Sequence, residues 1–193
     1  MSKKDEIKKI YNLVKNCKKC NLHKKRNKIV FGQGSLNAKI MFIGEAPGYY
    51  EDIHGRPFVG RAGKILNELL DSVELKRNNI YIANVLICRP PENRKPLKNE
   101  IIKCKNYLDK QIEIIRPRIF VPMGNFASSY IFKKFGLKTN NIGNIHGRIY
   151  QIKTNNENNI IIPIYHPAYA IYNNTIKKIL FKDIKLIKKV ITK

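Results

Sequence analysis

Apolar runs alternate with amphipathic stretches along most of this 193-residue chain. Short apolar runs predict strands at 39–43, 80–87, 118–122, 146–153 and 160–165. Apolar residues at three- and four-residue spacing predict helices at 5–15, 62–73, 97–115, 124–135 and 176–190. Such alternation is typical of an α/β fold in which helices cover both faces of a parallel sheet. In that architecture, ligands bind beyond the carboxyl ends of the strands.

Two glycine-rich segments near the first predicted strand are candidates for ligand binding. The first is a tight loop with one carboxylate and with backbone amides that can approach a ligand closely: Gly44-Glu45-Ala46-Pro47-Gly48. A turn after a strand needs glycine and proline for its own geometry, so this loop alone is weak evidence. Further along, Phe58 lies between Gly55 and Gly60. Its ring either caps the core or stacks on a planar ligand.

Asn84 interrupts the apolar run of the predicted strand 80–87, and His166 follows the predicted strand 160–165. A buried amide needs partners for its carbonyl and N–H groups, so Asn84 is either a satisfied structural residue or a reader of a base. Its amide can accept from uracil N3–H while donating to O4, and cytosine presents the reverse pattern. His166 is either structural or a hydrogen-bond donor to an oxygen that gains negative charge.

The formal charge of +24 indicates a polyanionic partner, and nucleic acid is the leading class. A strongly AT-rich coding sequence would also raise the lysine content, so charge alone does not decide the partner. A polar face on the lysine-rich last helix could also lie on a membrane surface, although a solvated or DNA-facing surface is the better interpretation.

Length and hydropathy predict one domain over residues 1–193, because 43% hydrophobic residues can supply its core. The sequence has neither an apolar signal core nor a long membrane-spanning run. We therefore expect a cytoplasmic protein without a membrane partner. No Ser/His/Asp triad pattern or Gly-Lys-Ser/Thr phosphate loop favours other hydrolases or nucleotidases.

The four cysteines form a layout that suggests one four-thiolate site: Cys17, Cys20, Cys88 and Cys104. A reducing cytosol disfavours disulfides. Zinc ribbons usually bring a short Cys-x-x-Cys pair from each side, unlike the long separation of Cys88 and Cys104. Iron–sulfur clusters also take four thiolates, with freer spacing. Cys104 moreover continues an apolar helical stripe, where a buried thiol is ordinary core. Spacing alone leaves cluster, zinc and core open.

Taken together and in chain order, these motifs resemble the family-4 uracil-DNA glycosylases from Cys17 to about Tyr169. The matching stretches are Gly44-Glu45-Ala46-Pro47-Gly48, Gly55-Arg56-Pro57-Phe58-Val59-Gly60-Arg61-Ala62-Gly63, Asn84 with Cys88-Arg89-Pro90-Pro91-Glu92-Asn93-Arg94, and His166-Pro167-Ala168-Tyr169. The resemblance implies a three-layer αβα fold with a four-stranded, mainly parallel sheet. It also implies removal of uracil from duplex or single-stranded DNA, which begins base excision repair.

The resemblance implies roles for single residues as well. It makes Phe58 the stacking ring, Asn84 the uracil reader and His166 the group that faces uracil O2. The first active-site loop would contribute Gly44, Glu45, Ala46 and Gly48.

Two carboxylates are available to handle the attacking water, because Ala46 stands where the best-known glycosylase family has an aspartate. We expect Glu45 to stabilise the water or the sugar cation. Glu51 would share that task or line the pocket near uracil C5.

In the family that the chain resembles, the four cysteines hold a [4Fe–4S] cluster, so the same cofactor is implied here. Glycosidic hydrolysis transfers no electrons, and we therefore expect the cluster to tie the N-terminal segment 1–28 to the rest of a monomeric protein. The chain departs from the family at Tyr49-Tyr50, His146, Tyr172 and Asn174, which concern the DNA-facing loops. Two alternatives are a non-catalytic iron–sulfur DNA-binding relative and a zinc-stabilised RNA-binding module.

Overall fold

The computed structural model describes residues 1–154 and 157–191. Its helices are α1 (Lys3–Val14), α2 (Tyr49–His54), α3 (Arg61–Asp71), α4 (Lys98–Ile115), α5 (Gly124–Lys134), α6 (Ile142–Ile145) and α7 (Asn174–Ile191). Its strands are β1 (Gln33–Gly34), β2 (Ile40–Gly44), β3 (Tyr81–Asn84), β4 (Ile119–Pro122), β5 (Tyr150–Thr154) and β6 (Glu157–Ile161). Short 3₁₀ helices span Asn21–Lys24, Arg77–Asn79, Pro91–Asn93 and Pro167–Ile171.

In the described part of the chain, the strands form one six-stranded mixed sheet in the order β1-β3-β2-β4-β6-β5. The four central strands are parallel, and β1 and β5 pair antiparallel at the two edges. The expected four-stranded sheet is therefore its parallel centre. The count of four was implied by the resemblance and leaves out both edge strands. The apolar pattern predicted β5, as 146–153, but not β1, which has only two residues.

The two faces of the sheet are covered by different helices, which confirms the three-layer αβα fold. Along β2, Ile40 and Phe42 pack in one cluster with residues of α3 and α7. Met41 and Ile43 pack in a second cluster with residues of α4 and α5. This alternation follows from the two-residue period of a strand, and it explains why every residue of β2 is buried.

Three predicted strands have clearly different limits in the structure. β5 begins at Tyr150 rather than at residue 146. β3 ends at Asn84 rather than at residue 87, because the next residues bond to the loop beyond β2: Val85 N–H donates to the Gly44 carbonyl, and Leu86 N–H to that of Glu45, both at 3.0 Å. β6 ends at Ile161, shortly before Pro163, which has no backbone N–H to donate. The earlier end of β3 makes Asn84 its last residue.

A third apolar cluster fixes the N-terminal segment to the domain. Ile10, Val14 and Leu22 pack there with Leu86, Ile87 and Tyr107. α1 begins with a capping box, in which the Ser2 hydroxyl accepts from Asp5 N–H and the Asp5 carboxylate accepts from Ser2 N–H, both at 3.2 Å. The segment is thus an ordered part of the molecule, packed where the cysteines lie.

Within residues 1–154 and 157–191, none of the helices combines the length and the apolar character that crossing a membrane requires.

Candidate active site and cysteine site

A cavity of about 680 Å³ opens at the carboxyl edge of the sheet. Seven of the predicted pocket residues line this cavity: Glu45, Ala46, Gly48, Glu51, Phe58, Asn84 and His166. The carboxyl ends of β2, β3 and β6 therefore meet as the alternating pattern predicted. Gly44 is not among the described residues that line the cavity, and its contact with substrate stays a prediction.

Gly44 is needed because two lining side chains press against its Cα. A Cβ at this position would lie 2.2 Å from Asn84 Oδ1 and 2.9 Å from Phe58 Cζ. Both distances are shorter than contacts between non-bonded atoms. The absence of a side chain at Gly44 therefore lets Phe58 and Asn84 come together at the end of β2.

Phe58 is buried and its backbone is in the left-handed region, with a φ of 53°. Such a φ is unfavourable for a residue with a side chain, so neighbouring groups must hold it. The carbonyls of Pro57 and Phe58 accept hydrogen bonds from the Arg77 guanidinium at 2.8 and 3.2 Å. The ring is 5.6 Å from the His166 ring between centroids, so the two rings share one side of the cavity.

Glu51 holds the chain that follows Phe58. Its Oε1 accepts hydrogen bonds from the backbone N–H groups of Val59 and Gly60, both at 2.9 Å. One carboxylate oxygen is thus occupied by two amides, while the residue as a whole still lines the cavity. Sequence reasoning expected Glu51 in a chemical role, and the geometry adds a positioning role for the Phe58 loop.

Asn84 is 2% exposed at the last position of β3. Its Oδ1 has no hydrogen-bond partner among the described residues. A buried amide oxygen without a partner costs about 1–3 kcal/mol, so most folds avoid it. Asn84 lines the cavity, and its Oδ1 is packed toward Gly44 at the end of β2. An N–H group that reached Oδ1 from the cavity would remove that cost.

His166 is held as a neutral ring with a defined tautomer. Its Nδ1 accepts a hydrogen bond from Ala168 N–H at 3.2 Å, which leaves the ring proton on Nε2. Burial lowers the pKa of His166 to about 4, although the carboxylate of Glu51 acts in the opposite direction. Gly124 permits this position, since its φ is 85° and a Cβ would lie 3.1 Å from His166 Cβ. The site therefore presents an Nε2–H donor at neutral pH.

Glu45 is half-buried, and burial raises the pKa of its carboxyl group, while the charge of Lys95 opposes the shift. Lys95 also lines the cavity, and sequence reasoning did not single it out. The wall made by Met123, Gly124, Asn125 and Phe126 was missed as well. Its signal was available, because this segment follows β4 at the same sheet edge.

The four cysteines line a second, small cavity beside α4. Cys88 and Cys104 are buried, Cys17 and Cys20 are half-buried, and all four are free. Within the described residues, this cavity and the larger one have no lining residue in common. No three cysteine, histidine or acidic side chains of residues 1–154 and 157–191 are grouped around a single-ion site.

Three of the sulfur atoms have polar neighbours. The Arg26 guanidinium donates to Cys88 Sγ at 3.2 Å, and Ile87 N–H donates to Cys104 Sγ at 3.4 Å. Cys17 Sγ lies 3.2 Å from the Tyr107 hydroxyl. Burial raises the pKa of the Cys104 thiol to about 12 and also raises that of Cys88, against the effect of Arg26. These donors would favour sulfur atoms that carry negative charge, as ligands of iron or zinc do.

Comparison with known proteins assigns the chain to a family. The sequence profile of the Uracil DNA glycosylase superfamily matches residues 31–186. The type-4 uracil-DNA glycosylase of Saccharolobus solfataricus is 43% identical over 189 residues, covering 97% of this chain and 88% of the relative. That of Archaeoglobus fulgidus is 44% identical over 174 residues, covering 90% and 87%. That of Thermotoga maritima is 41% identical over 182 residues, covering 93% and 92%. The chain therefore belongs to the uracil-DNA glycosylase superfamily and, within it, to the type-4 family.

Proposed function

We propose that this protein is a uracil-DNA glycosylase, which hydrolyses the N-glycosidic bond of deoxyuridine in DNA and so begins base excision repair. The observation that carries the proposal is a cavity lined by Phe58, neutral His166 and Asn84, whose buried Oδ1 has no partner among the described residues. The names of the type-4 relatives support the same reaction.

Base recognition follows from the donors and acceptors of Asn84. A uridine in a duplex has to leave the base stack first, at a cost of a few kcal/mol. Stacking on Phe58 returns about 1–3 kcal/mol. Asn84 Oδ1 accepts from uracil N3–H, and its amide N–H donates to O4. Cytosine has an acceptor and a donor at those two places, so its entry would leave buried groups unpaired.

His166 assists departure of the base. As the bond between C1′ and uracil N1 breaks, its electron pair moves into the uracil ring and negative charge collects on O2. The Nε2–H of His166 donates a hydrogen bond to that oxygen, and the bond strengthens as the charge grows. A neutral imidazole suits this task because it stays a donor at neutral pH without needing to lose a proton.

Glu45 handles the water that completes hydrolysis. Breaking the bond leaves a sugar with oxocarbenium character, which an ionised carboxylate stabilises. Glu45 then accepts a proton from water as the water oxygen bonds to C1′, leaving an abasic site and free uracil. Glu51 contributes mainly by holding the 59–60 backbone, and its second oxygen remains available to the cavity.

We also propose that Cys17, Cys20, Cys88 and Cys104 hold a [4Fe–4S] cluster. The proposal is supported by four thiols around one cavity and by the hydrogen bonds from Arg26 and Ile87. When bound, the cluster would cross-link the N-terminal segment to the loop after β3 and to α4 without transferring electrons in the reaction. Brown protein containing iron and sulfide supports this assignment, and colourless protein containing zinc contradicts it.

An oligonucleotide assay tests the activity. Cluster-replete protein should convert a uracil-containing oligonucleotide to one with an abasic site, and should leave the matched cytosine and thymine oligonucleotides unchanged. Binding of uracil-containing DNA without abasic sites would instead support a non-catalytic DNA-binding relative. The cytoplasmic location, the monomeric state and the single domain stay predictions.

A further inference from the structure

A band of aromatic and cationic side chains borders the active-site cavity. All of them are exposed except Arg89, which is half-buried and donates to Asn93 Oδ1 at 2.8 Å. Arg89 lies 5.2 Å from the Tyr49 ring centroid, and the Tyr49 and Tyr50 rings meet edge to face at 5.4 Å. Tyr50 lies beside Gly60, where a Cβ would be 3.2 Å from its Cδ2. The next residue, Arg61, lies 5.2 Å from the Tyr172 ring centroid and donates to the Tyr172 hydroxyl. We call these five side chains the tyrosine band: Arg89, Tyr49, Tyr50, Arg61 and Tyr172.

The rings of the tyrosine band are open to solvent. Tyr49, Tyr50 and Tyr172 are 52%, 53% and 80% exposed. None of the three lines the cavity among the described residues, so the proposed excision chemistry gives them no task. Their exposure leaves ring faces free for a further partner.

The cations of the band are also available. Neither Arg61 nor Arg89 forms an ion pair within residues 1–154 and 157–191. Each lies against a tyrosine ring, which orients a planar guanidinium without neutralising it. Open rings that alternate with unpaired guanidinium groups match the chemistry of a single strand, in which base faces and phosphates alternate.

The band also adjoins the place where a flipped nucleotide would enter. Tyr49 and Tyr50 directly follow the 44–48 loop, Arg61 follows the Glu51-bound Gly60, and Tyr172 caps the 3₁₀ helix that begins after His166. Nucleotides next to a uridine in the cavity would therefore pass over this surface.

We infer that the tyrosine band is a binding surface for unpaired nucleotides that flank the target uridine, so that the protein binds single-stranded DNA in preference to duplex. The inference rests on the proposed function. Bases in a duplex are already stacked on one another and cannot offer their faces to the rings, whereas unpaired bases can. The arginines would contact phosphates in both forms of DNA, so the preference comes from the rings.

Binding to DNA that contains no uracil tests this inference separately from excision. Fluorescence anisotropy of the full-length, cluster-replete protein would compare one sequence as a single strand and as a duplex. Three proteins are needed beside the wild type: a triple variant with Tyr49→Ala, Tyr50→Ala and Tyr172→Ala, the matching triple Tyr→Phe variant, and Tyr11→Ala. Tyr11 is a matched control. It lies on α1, outside the band, is 44% exposed and packs against Phe31.

The alanine variant should bind the single strand at least about tenfold more weakly, because each lost base stack costs roughly 5- to 150-fold. Duplex binding should change much less, and the phenylalanine and Tyr11→Ala proteins should bind as the wild type does. Three results would overturn the inference: unchanged single-strand binding by the alanine variant, equal losses for both forms of DNA, or a phenylalanine variant as weak as the alanine one. None of them depends on whether uracil is excised.

Discussion

The active-site cavity and the cysteine site lie in the same small protein, yet they are built in opposite ways. The cavity is lined by Asn84, whose buried Oδ1 has no partner among the described residues, and its walls depend on left-handed backbone at Phe58 and Gly124. Around the cysteines, apolar side chains pack closely and three of the four sulfurs already have polar neighbours. The cavity is therefore suited to a ligand that binds and dissociates, whereas the cysteine site is suited to the permanently bound cluster that we propose.

Truncating Asn84 should show the largest effect on activity and a small effect on folding. Asn84→Ala should lower kcat/KM for uracil excision by about 10³-fold or more, since a buried polar group made for the substrate is lost. Stability should hardly fall, because Oδ1 has no hydrogen bond to lose. Single-turnover excision and urea unfolding measure the two effects. A severe loss of stability with normal excision by the remaining folded protein would contradict this account of Asn84.

Removing a cysteine should give the reverse result. Cys17→Ala should lower the free energy of unfolding by roughly 3 kcal/mol or more, as loss of a metal site does. It should also lower DNA affinity, since the N-terminal segment would lose its tie to α4. The chemical rate per folded molecule should stay near that of the wild type, since the two cavities have no described lining residue in common. Wild-type stability and DNA binding in this variant would contradict the proposal that the cysteine site holds the N-terminal segment to α4.

The two kinds of site also differ in how far the sequence predicted them. Strand ends at 44, 84 and 166 indicated the cavity, because apolar runs locate the strands and parallel strands share an edge. The helix α2 was missed, since its six residues are too few to show a helical period. The unpaired oxygen of Asn84 and the left-handed φ of Phe58 depend on contacts with residues distant in sequence, which no local pattern contains.

For the cysteines, the sequence predicted the ligands but not their surroundings. Four thiols in one chain suggested a common site, and the structure places them around one cavity. Arg26 gave no sequence signal, because it is one of 38 lysine and arginine residues and only folding brings it to Cys88.

The pH dependence of excision should distinguish His166 from Glu45. Because the folded-state pKa of His166 is about 4, below its ordinary 6.5, the ring is already neutral at pH 6.5 and kcat/KM should not change there. Activity should fall at lower pH, as Glu45, whose pKa is raised above 4.5 by burial, takes up a proton. Glu45→Gln should lower the rate and remove this acid limb. A limb near pH 6.5 that disappears in His166→Gln would contradict the assignment.

The same shift in the pKa of His166 predicts a change in stability. Between pH 6.5 and about 4, the unfolded chain binds a proton at this histidine and the folded protein does not. The contribution of His166 to the free energy of unfolding should therefore decrease as pH falls through that range. Urea unfolding of the wild type and of His166→Gln at several pH values measures it, and an equal pH dependence in both proteins would argue against a neutral buried ring.

The smallest effect is expected at the edge of the cysteine site. Arg26→Gln should remove a charge-assisted hydrogen bond to Cys88, which typically contributes about 1.5–3 kcal/mol. The cluster should then be lost faster in air, as measured by its visible absorbance, while excision by freshly prepared protein stays unchanged. Lys103→Gln is the matched control, because Lys103 lines the same cavity but makes no hydrogen bond to a cysteine sulfur among the described residues. Equal cluster lifetimes in the two variants would contradict a stabilising effect of the hydrogen bond from Arg26 to Cys88.

The central claim is that the unpaired oxygen of Asn84 receives uracil, and a crystal structure of the product complex tests it most directly. In crystals with uracil and abasic-site DNA, uracil should stack on Phe58, with N3 within hydrogen-bond distance of Asn84 Oδ1 and O2 facing His166 Nε2. Uracil bound outside this cavity, or within it with N3 turned away from Asn84, would contradict the account.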